Sequence, residues 1–236
     1  MKLSKRLETI VNQAAKAADG GRVADVGTDH GFVPIALVKM GAASGAIAMD
    51  VRKGPLKRAE EHIGEQGLSD VIEARLSDGL AKLEPGEADT VIIAGMGGEL
   101  MLRILKDGGH VRSHIRRWIL SPQSELSLFR HGLEELGLAV TEEVMVEEEG
   151  KYYVIITAEP GQMHWKEEFR YRYGDFLIRS GSPELYRLLC REQKQYEEIA
   201  RQLSGESGEG ARVRLYEIKE ELKQIKEALY ALQRVD

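Results

Sequence analysis

Residues 22–38, RVADVGTDHGFVPIALV, change character twice. A short apolar run breaks into Gly27-Thr28-Asp29-His30-Gly31, and apolar residues then return at helical spacing. A strand that ends in a glycine-containing turn and passes into a helix is the opening unit of an open α/β sheet, and such sheets bind ligands beyond the carboxyl ends of their strands. The turn therefore poses a chemical question: which ligand needs backbone, carboxylate and imidazole together at the mouth of a strand.

Outward from that turn the alternation continues to about residue 158. The run GAIAMDV is followed by the helical GPLKRAEEHIGEQG, VIEARLSDGL by a short connection, ADTVIIAGMGG by ELMLRILKDG, and RWILSPQSE by LSLFRHGLEELG. LAVTEEVMVEEEGKYYVIITAEP reads as a closing hairpin of two strands. Beyond Pro160 the strand signal ends. Ser182 and Pro183 open a helix as N-cap and first residue, and after the linker SGESGEG a stripe of Leu215, Ile218, Leu222, Ile225, Leu229 and Leu232 recurs at alternating spacings of three and four. The expected organisation is a Rossmann-like domain with an N-terminal helix over residues 1–160 and an antiparallel, coiled-coil-like helical hairpin over residues 161–236.

Composition narrows the class. The chain has 236 residues, 42% of them hydrophobic, enough for a substantial core, and no run of about 20 apolar residues that would span a bilayer. The N-terminal MKLSKRLETIVNQAAKAA is amphipathic and lacks the apolar centre of a signal peptide, so a cytoplasmic location without membrane contact is expected. A single cysteine, Cys190, excludes an internal disulfide and a multi-cysteine zinc site; its Leu188-Leu189 neighbours suggest buried packing, and no metal is expected.

The ligand can be narrowed from the acidic residues. Asp50 ends the second apolar run 23 residues after Gly27, where a carboxylate can hold both hydroxyls of a ribose. A dinucleotide fits poorly, because G-x-G-x-x-G is absent and an aspartate in the turn would repel a pyrophosphate. S-adenosylmethionine has a ribose and an adenine but no phosphate, and it carries an ammonium and a sulfonium. Asp25 and Asp29 would complement those positive charges. Asp78 would accept a hydrogen bond from the adenine amino group while the backbone at Gly79 or Leu80 meets the ring edge. His30 reads as a positioning residue rather than a proton carrier.

With LSKRLETI, ADVGTDHGFVPIAL, SDGL and the Ala94-Gly95-Met96-Gly97-Gly98 turn, the chain resembles the bacterial tRNA adenine-22 N1-methyltransferase family along essentially its whole length. The resemblance implies methyl transfer from S-adenosylmethionine to N1 of an adenosine in tRNA. It places Asp25, Gly27, Asp29, His30, Gly31, Asp50, Asp78, Gly79 and Gly95 around the cofactor, with Met96, Gly97 and His30 toward the reacting base. One segment departs from the family pattern: LSPQSE stands where a Gln-Pro-Asn-like sequence is usual, which leaves Gln123 and Ser124 without assigned roles.

Adenine N1 has an in-plane lone pair, so its methylation needs no strong base, and the sequence holds no hydrolase-type nucleophile and base pair. The net charge of −6 requires that any tRNA-facing cations be segregated. Lys2, Lys5 and Arg6 form one basic cluster, and Arg103, Arg112, Arg116 and Arg117 another. A same-fold methyltransferase acting on a small molecule or protein, and a non-catalytic S-adenosylmethionine-binding protein, are the competing readings. The apolar stripe serves a monomer's hairpin and a homodimer equally well.

Overall fold

The computed structural model describes residues 3–205 and 208–234; Lys2 lies outside the described residues. The chain divides into two compact units, residues 1–164 and 165–236.

The first unit is built on a seven-stranded sheet of order β3-β2-β1-β4-β5-β7-β6. The parallel strands are β1 (Gly20–Val26), β2 (Ala43–Asp50), β3 (Ile72–Leu76), β4 (Thr90–Ala94) and β5 (Arg117–Ser121). β6 (Leu138–Glu148) and β7 (Lys151–Pro160) complete it as an antiparallel hairpin, with Glu149 and Gly150 at positive φ in its two-residue turn. The sequence signalled this pair but not its order: β7 inserts between β5 and β6 and pairs antiparallel with β5.

Helices cover the sheet. One core layer joins Ile10, Val11 and Ala14 of α1 (Lys5–Ala18), Val33, Ile35 and Leu37 of α2 (Phe32–Lys39) and Ala59 and Ile63 of α3 (Lys53–Glu65) to Val23, Ala46, Ile92 and Ile119 of the sheet. Strand residues alternate in direction, so Val91, Ile93, Trp118 and Leu120, all buried, serve the opposite face. α4 (Gly98–Asp107) and α6 (Leu126–Glu135) pack on each other and contribute the buried Met101, Leu105, Phe129 and Leu133, while α5 (Gly109–Arg112) is a single turn.

α1 begins at its Ser4 cap, whose hydroxyl accepts from the Leu7 amide at 3.3 Å. Its other end is fixed below the sheet, where the Ala17 carbonyl accepts from Arg117 Nη1 at 3.0 Å. A register shift in β6 between Val140 and Glu142 turns Glu142 toward this helix, and its Oε1 accepts from Gln13 Nε2 at 3.1 Å and Lys16 Nζ at 3.2 Å. Deeper in the unit, Arg130 of α6 and Glu143 of β6 form an ion pair at 2.7 Å, with both side chains inaccessible to solvent.

The second unit contains α7 (Glu168–Tyr173), α8 (Asp175–Arg179), α9 (Pro183–Ser204) and α10 (Glu209–Leu232). α9 and α10 fold back on each other as a helical hairpin, with the Ser182 hydroxyl accepting from the Leu185 amide. Ile218, Leu222, Ile225 and Leu232 of the stripe are buried, joined by Ala228. Cys190 corrects one expectation: it is half-buried rather than enclosed, because the helical turn that buries Leu185 and Leu189 carries Cys190 toward the edge of the contact. Among the described residues no helix is long and apolar enough to cross a membrane.

Candidate functional site

The strand order reverses between β1 and β4, which pair directly with each other. The crevice beyond their carboxyl ends is the place where an open sheet receives a ligand. Two cavities open there, of about 300 Å³ and 390 Å³, and both are lined by Gly27, Arg52, Ala94 and Gly95.

The first cavity runs from Val26 past Asp50 and Asp78 to Met96. Asp50 is buried at the end of β2, where its Oδ1 accepts from the Arg52 amide at 2.7 Å and lies 3.5 Å from Arg52 Nε. Asp78 is exposed, two residues past β3, and Gly79 has positive φ, with Ile104 occupying the space a Cβ would need. The φ of +79° at Gly27 favours glycine, and the terminal methyl of Met96 fills the space beside it, 2.2 Å from where a Cβ would sit. Met96 thus lies over the first turn.

The second cavity is lined by Arg6, Asp25, Asp29, His30, Phe32 and Gln123, among others. Asp25 is buried, and no cation stands within ion-pair distance of it among the described residues. Burial lifts its carboxyl to about 6; the nearby Thr28 pulls the other way and Asp50 adds to the rise. Asp29 is different: it sits at the exposed rim, where Arg58 Nη2 donates to it at 3.0 Å and His30 Nε2 lies 3.5 Å away, so much of its charge is already answered by protein.

His30 adopts positive φ, and its ring stacks with those of Phe32 and His62 at centroid separations of 5.1 and 5.2 Å. His62 Nδ1 donates to the His30 carbonyl at 3.0 Å, while His30 Nδ1 is buried without a hydrogen-bond partner. The imidazole is held as a wall of the cavity. Gly31 lines neither cavity; it packs against Ala59 on α3.

The turn after β4 is laced to the turn after β5. The Gln123 amide donates to the Met96 carbonyl at 2.9 Å, and Glu125 Oε2 accepts from the Gly98 amide at 3.1 Å and from the Ser124 hydroxyl. A Cβ on Gly98 would come within 2.7 Å of the Ser124 carbonyl. Gly97 lines neither cavity but is the N-cap of α4 in this clasp. The segment that departed from the family pattern therefore buttresses the Gly95–Gly98 turn.

The structure does not bring the expected basic residues together. Lys5 and Arg6 start α1 beside the crevice, Lys5 donating to the Glu147 carbonyl at 3.1 Å. Arg112, Arg116 and Arg117 precede or begin β5, at the amino end of the parallel strands and away from the crevice. Two of them are engaged by protein: Arg112 donates to the Leu105 carbonyl at 3.2 Å and Arg117 pairs with Glu159 at 3.1 Å. Arg103, in contrast, lines the first cavity with Arg52. Among the described residues no group of three or more His, Cys, Asp or Glu side chains could hold a metal ion.

Sheet order, crevice and acidic strand ends together define a class I S-adenosylmethionine-dependent methyltransferase. A methyltransferase-domain family model matches residues 3–156. The tRNA (adenine(22)-N(1))-methyltransferase of Bacillus subtilis is 39% identical over 161 residues, 68% of this chain and 66% of that protein. The crystal structure of the B. subtilis m1A22 tRNA methyltransferase superposes with a TM-score of 0.85 at 32% identity, over 97% of this chain and 99% of that one. A Streptococcus pneumoniae protein solved in complex with S-adenosyl-L-methionine superposes with a TM-score of 0.84 at 33% identity, over 97% and 100% of the two chains. The chain belongs to the methyltransferase-domain family and, within it, to the family of tRNA (adenine-22 N1)-methyltransferases.

Proposed function

We propose that this protein transfers a methyl group from S-adenosylmethionine to N1 of adenosine 22 in tRNA. The observation that carries the reading is the pair of cavities with shared lining at the β1/β4 crevice, with a buried, ion-unpaired Asp25 and an Asp50 whose second carboxylate oxygen remains for a ligand. These groups fit the cofactor: Asp50 would hold the ribose hydroxyls, Asp25 the ammonium, and Asp78 with Gly79 the adenine edge. When bound, S-adenosylmethionine supplies a sulfonium methyl that passes to the N1 lone pair, the carbon–sulfur bond breaking with its electrons left on sulfur.

The chain's own part is alignment and electrostatics rather than proton removal. The clasp between Gln123–Glu125 and Met96–Gly98 would fix the turn that faces the base, and the His30–Phe32 wall would limit its approach. N1 lies on the Watson–Crick edge, so a paired adenine must be opened first, at a cost of a few kcal/mol. Lys5, at the start of α1, and Arg103, which lines the first cavity, would meet tRNA phosphates; Arg112, Arg116 and Arg117 would serve only an RNA that reaches the opposite end of the sheet.

The test is methyl transfer from labelled S-adenosylmethionine to unmodified tRNA transcripts bearing adenosine or guanosine at position 22, followed by nucleoside analysis. N1-methyladenosine in the adenosine transcript alone is expected. Intact cofactor binding with no label in either transcript would overturn the tRNA assignment.

A further inference from the structure

Gln123 differs from the other two residues of its clasp. Ser124 and Glu125 use their side chains in it, the hydroxyl donating to the carboxylate and the carboxylate accepting from the Gly98 amide, whereas Gln123 uses only its backbone N–H, which donates to the Met96 carbonyl at 2.9 Å. The chain is tied down on both sides of it, by the buried Pro122 before and by Glu125 after. Gln123 itself is exposed, lines the second cavity beside Ala94 and Gly95, and its side-chain amide makes no hydrogen bond among the described residues. A polar head left free on a backbone that is already fixed pays little of the ordering cost when it meets a partner from outside the chain.

Strand order decides which partner that is. The carboxyl ends run β3, β2, β1, β4, β5 along the crevice, so Asp78 and Asp50 stand on one side of β1, while Gln123, two residues past the end of β5, stands on the other. Gln123 does not line the cavity that those two aspartates line. A cofactor whose ribose and adenine lie at Asp50 and Asp78 leaves the β4–β5 end of the crevice to the methyl acceptor.

An amide suits adenine in particular. Beside N1, adenine carries an amino group whose hydrogens a carbonyl oxygen accepts; guanine carries there an oxygen that would repel it, and its N1 bears a hydrogen instead of a lone pair. As the bond from N1 to the methyl carbon forms and the carbon–sulfur bond breaks, the positive charge leaving sulfur is shared between N1 and the amino group. A hydrogen bond from that group to an oxygen strengthens in the transition state, the condition for an interaction to raise the rate rather than only the affinity.

We propose that Gln123 reads the target base: its Oε1 accepts from the exocyclic amino group beside N1, selecting adenine and stabilising the charge that arrives on it. The proposal rests on the reading of this protein as an adenine-N1 methyltransferase.

The experiment measures single-turnover methyl transfer by wild type, Gln123→Leu and Gln123→Glu on two tRNA transcripts, one with adenosine at position 22 and one with purine riboside there, which keeps N1 but lacks the amino group. All three proteins keep the backbone N–H of the clasp, and thermal melting and S-adenosylmethionine affinity are measured alongside. On the adenosine transcript Gln123→Leu should lose about tenfold to a hundredfold in rate, and Gln123→Glu, whose carboxylate also accepts, should stay within about fivefold of wild type. On the purine-riboside transcript wild type should be slowed, and Gln123→Leu should match it within about twofold, since there is no amino group left to hold. Equal losses by Gln123→Leu on both transcripts, or a glutamate variant as slow as the leucine one, would reduce Gln123 to its backbone role and overturn the proposal. A matching loss of S-adenosylmethionine affinity would place it on the cofactor and overturn it too. If wild type bound the cofactor but methylated neither transcript, the tRNA reading itself would fall, an outcome distinct from these.

Discussion

Two regions of the first unit treat buried charge in opposite ways. Between α6 and β6, Arg130 and Glu143 are wholly removed from solvent and meet at 2.7 Å. At the carboxyl ends of β1 and β4, Asp25 is also buried, but among the described residues no cation stands within ion-pair distance of it. In the first, the fold itself supplies the opposite charge; in the second, the opposite charge would have to be added. Unanswered charge thus separates the ligand site from the scaffold more sharply than burial does, since both regions are buried.

The comparison is most easily broken at the paired end. Glu143→Ala should strand the Arg130 charge and cost about 3–5 kcal/mol, read as a fall in the denaturation midpoint; a near-neutral result would mean that water reaches Arg130 and that the two regions do not differ. At the other end the sign should reverse. Asp25, raised to about 6 from 3.8, binds its proton more tightly folded than unfolded, so its contribution favours folding at low pH and is lost as pH rises through about 6. Near neutral pH its buried charge costs up to about 3 kcal/mol, and Asp25→Asn should raise the melting temperature of the ligand-free protein there while leaving it unchanged below about pH 4. The same substitution should weaken cofactor binding, and wild-type affinity should decline as pH falls below about 6. A melting temperature lowered equally at both pH values would refute the assignment.

Smaller effects sharpen the contrast. Asp50 already serves the Arg52 amide, so Asp50→Asn should weaken S-adenosylmethionine binding by about tenfold, by calorimetric titration, with a modest change in melting. The least effect is expected at a paired but solvent-facing network. Arg75 pairs with Glu73 at 2.7 Å and Glu87 at 2.6 Å, and its hydrogen bonds hold Glu87 down to about 2. A depressed carboxylate contributes stability above its unfolded pKa and loses it as pH falls through the folded one, here between about 4.5 and 2. Because water screens the network, Glu87→Gln should cost less than about 1 kcal/mol in urea unfolding at neutral pH.

What the sequence disclosed follows the same division. Strand and helix periods, the acidic strand ends and the apolar stripe of α10 are local patterns, and local patterns were legible: Asp50 and Asp78 both line the first cavity. Long-range placement was not legible. Nothing in LSKRLETI says that Arg6 lies against Gly95 while Arg117 lies at the other end of the sheet, because that depends on how α1 crosses the strands. Likewise Asp25 and Asp29 look alike as acidic residues four apart, yet Arg58 from α3 answers one and, among the described residues, no cation answers the other. The Gln123–Glu125 clasp lay in an unfamiliar motif whose role is set by backbone contacts, which side-chain spelling does not reveal.

The register shift in β6 has a consequence for which changes in length the chain can tolerate. The extra residue between Val140 and Glu142 directs Glu142 to Gln13 and Lys16, and so anchors the helix that begins beside the crevice. Deleting Thr141 would restore regular pairing on an edge strand, a change that a surface position ordinarily absorbs. It would leave Glu142 opposite Thr157 and still facing α1, whereas a deletion between Glu142 and the hairpin turn, where pairing is regular, would move Glu142 one place along β7, turn it to the other face and break its bonds to Gln13 and Lys16. Changes in length are therefore constrained between Glu142 and Glu148 as if they lay in the cofactor pocket, and a length-variant library should find them excluded there while position 141 and the hairpin turn accept them.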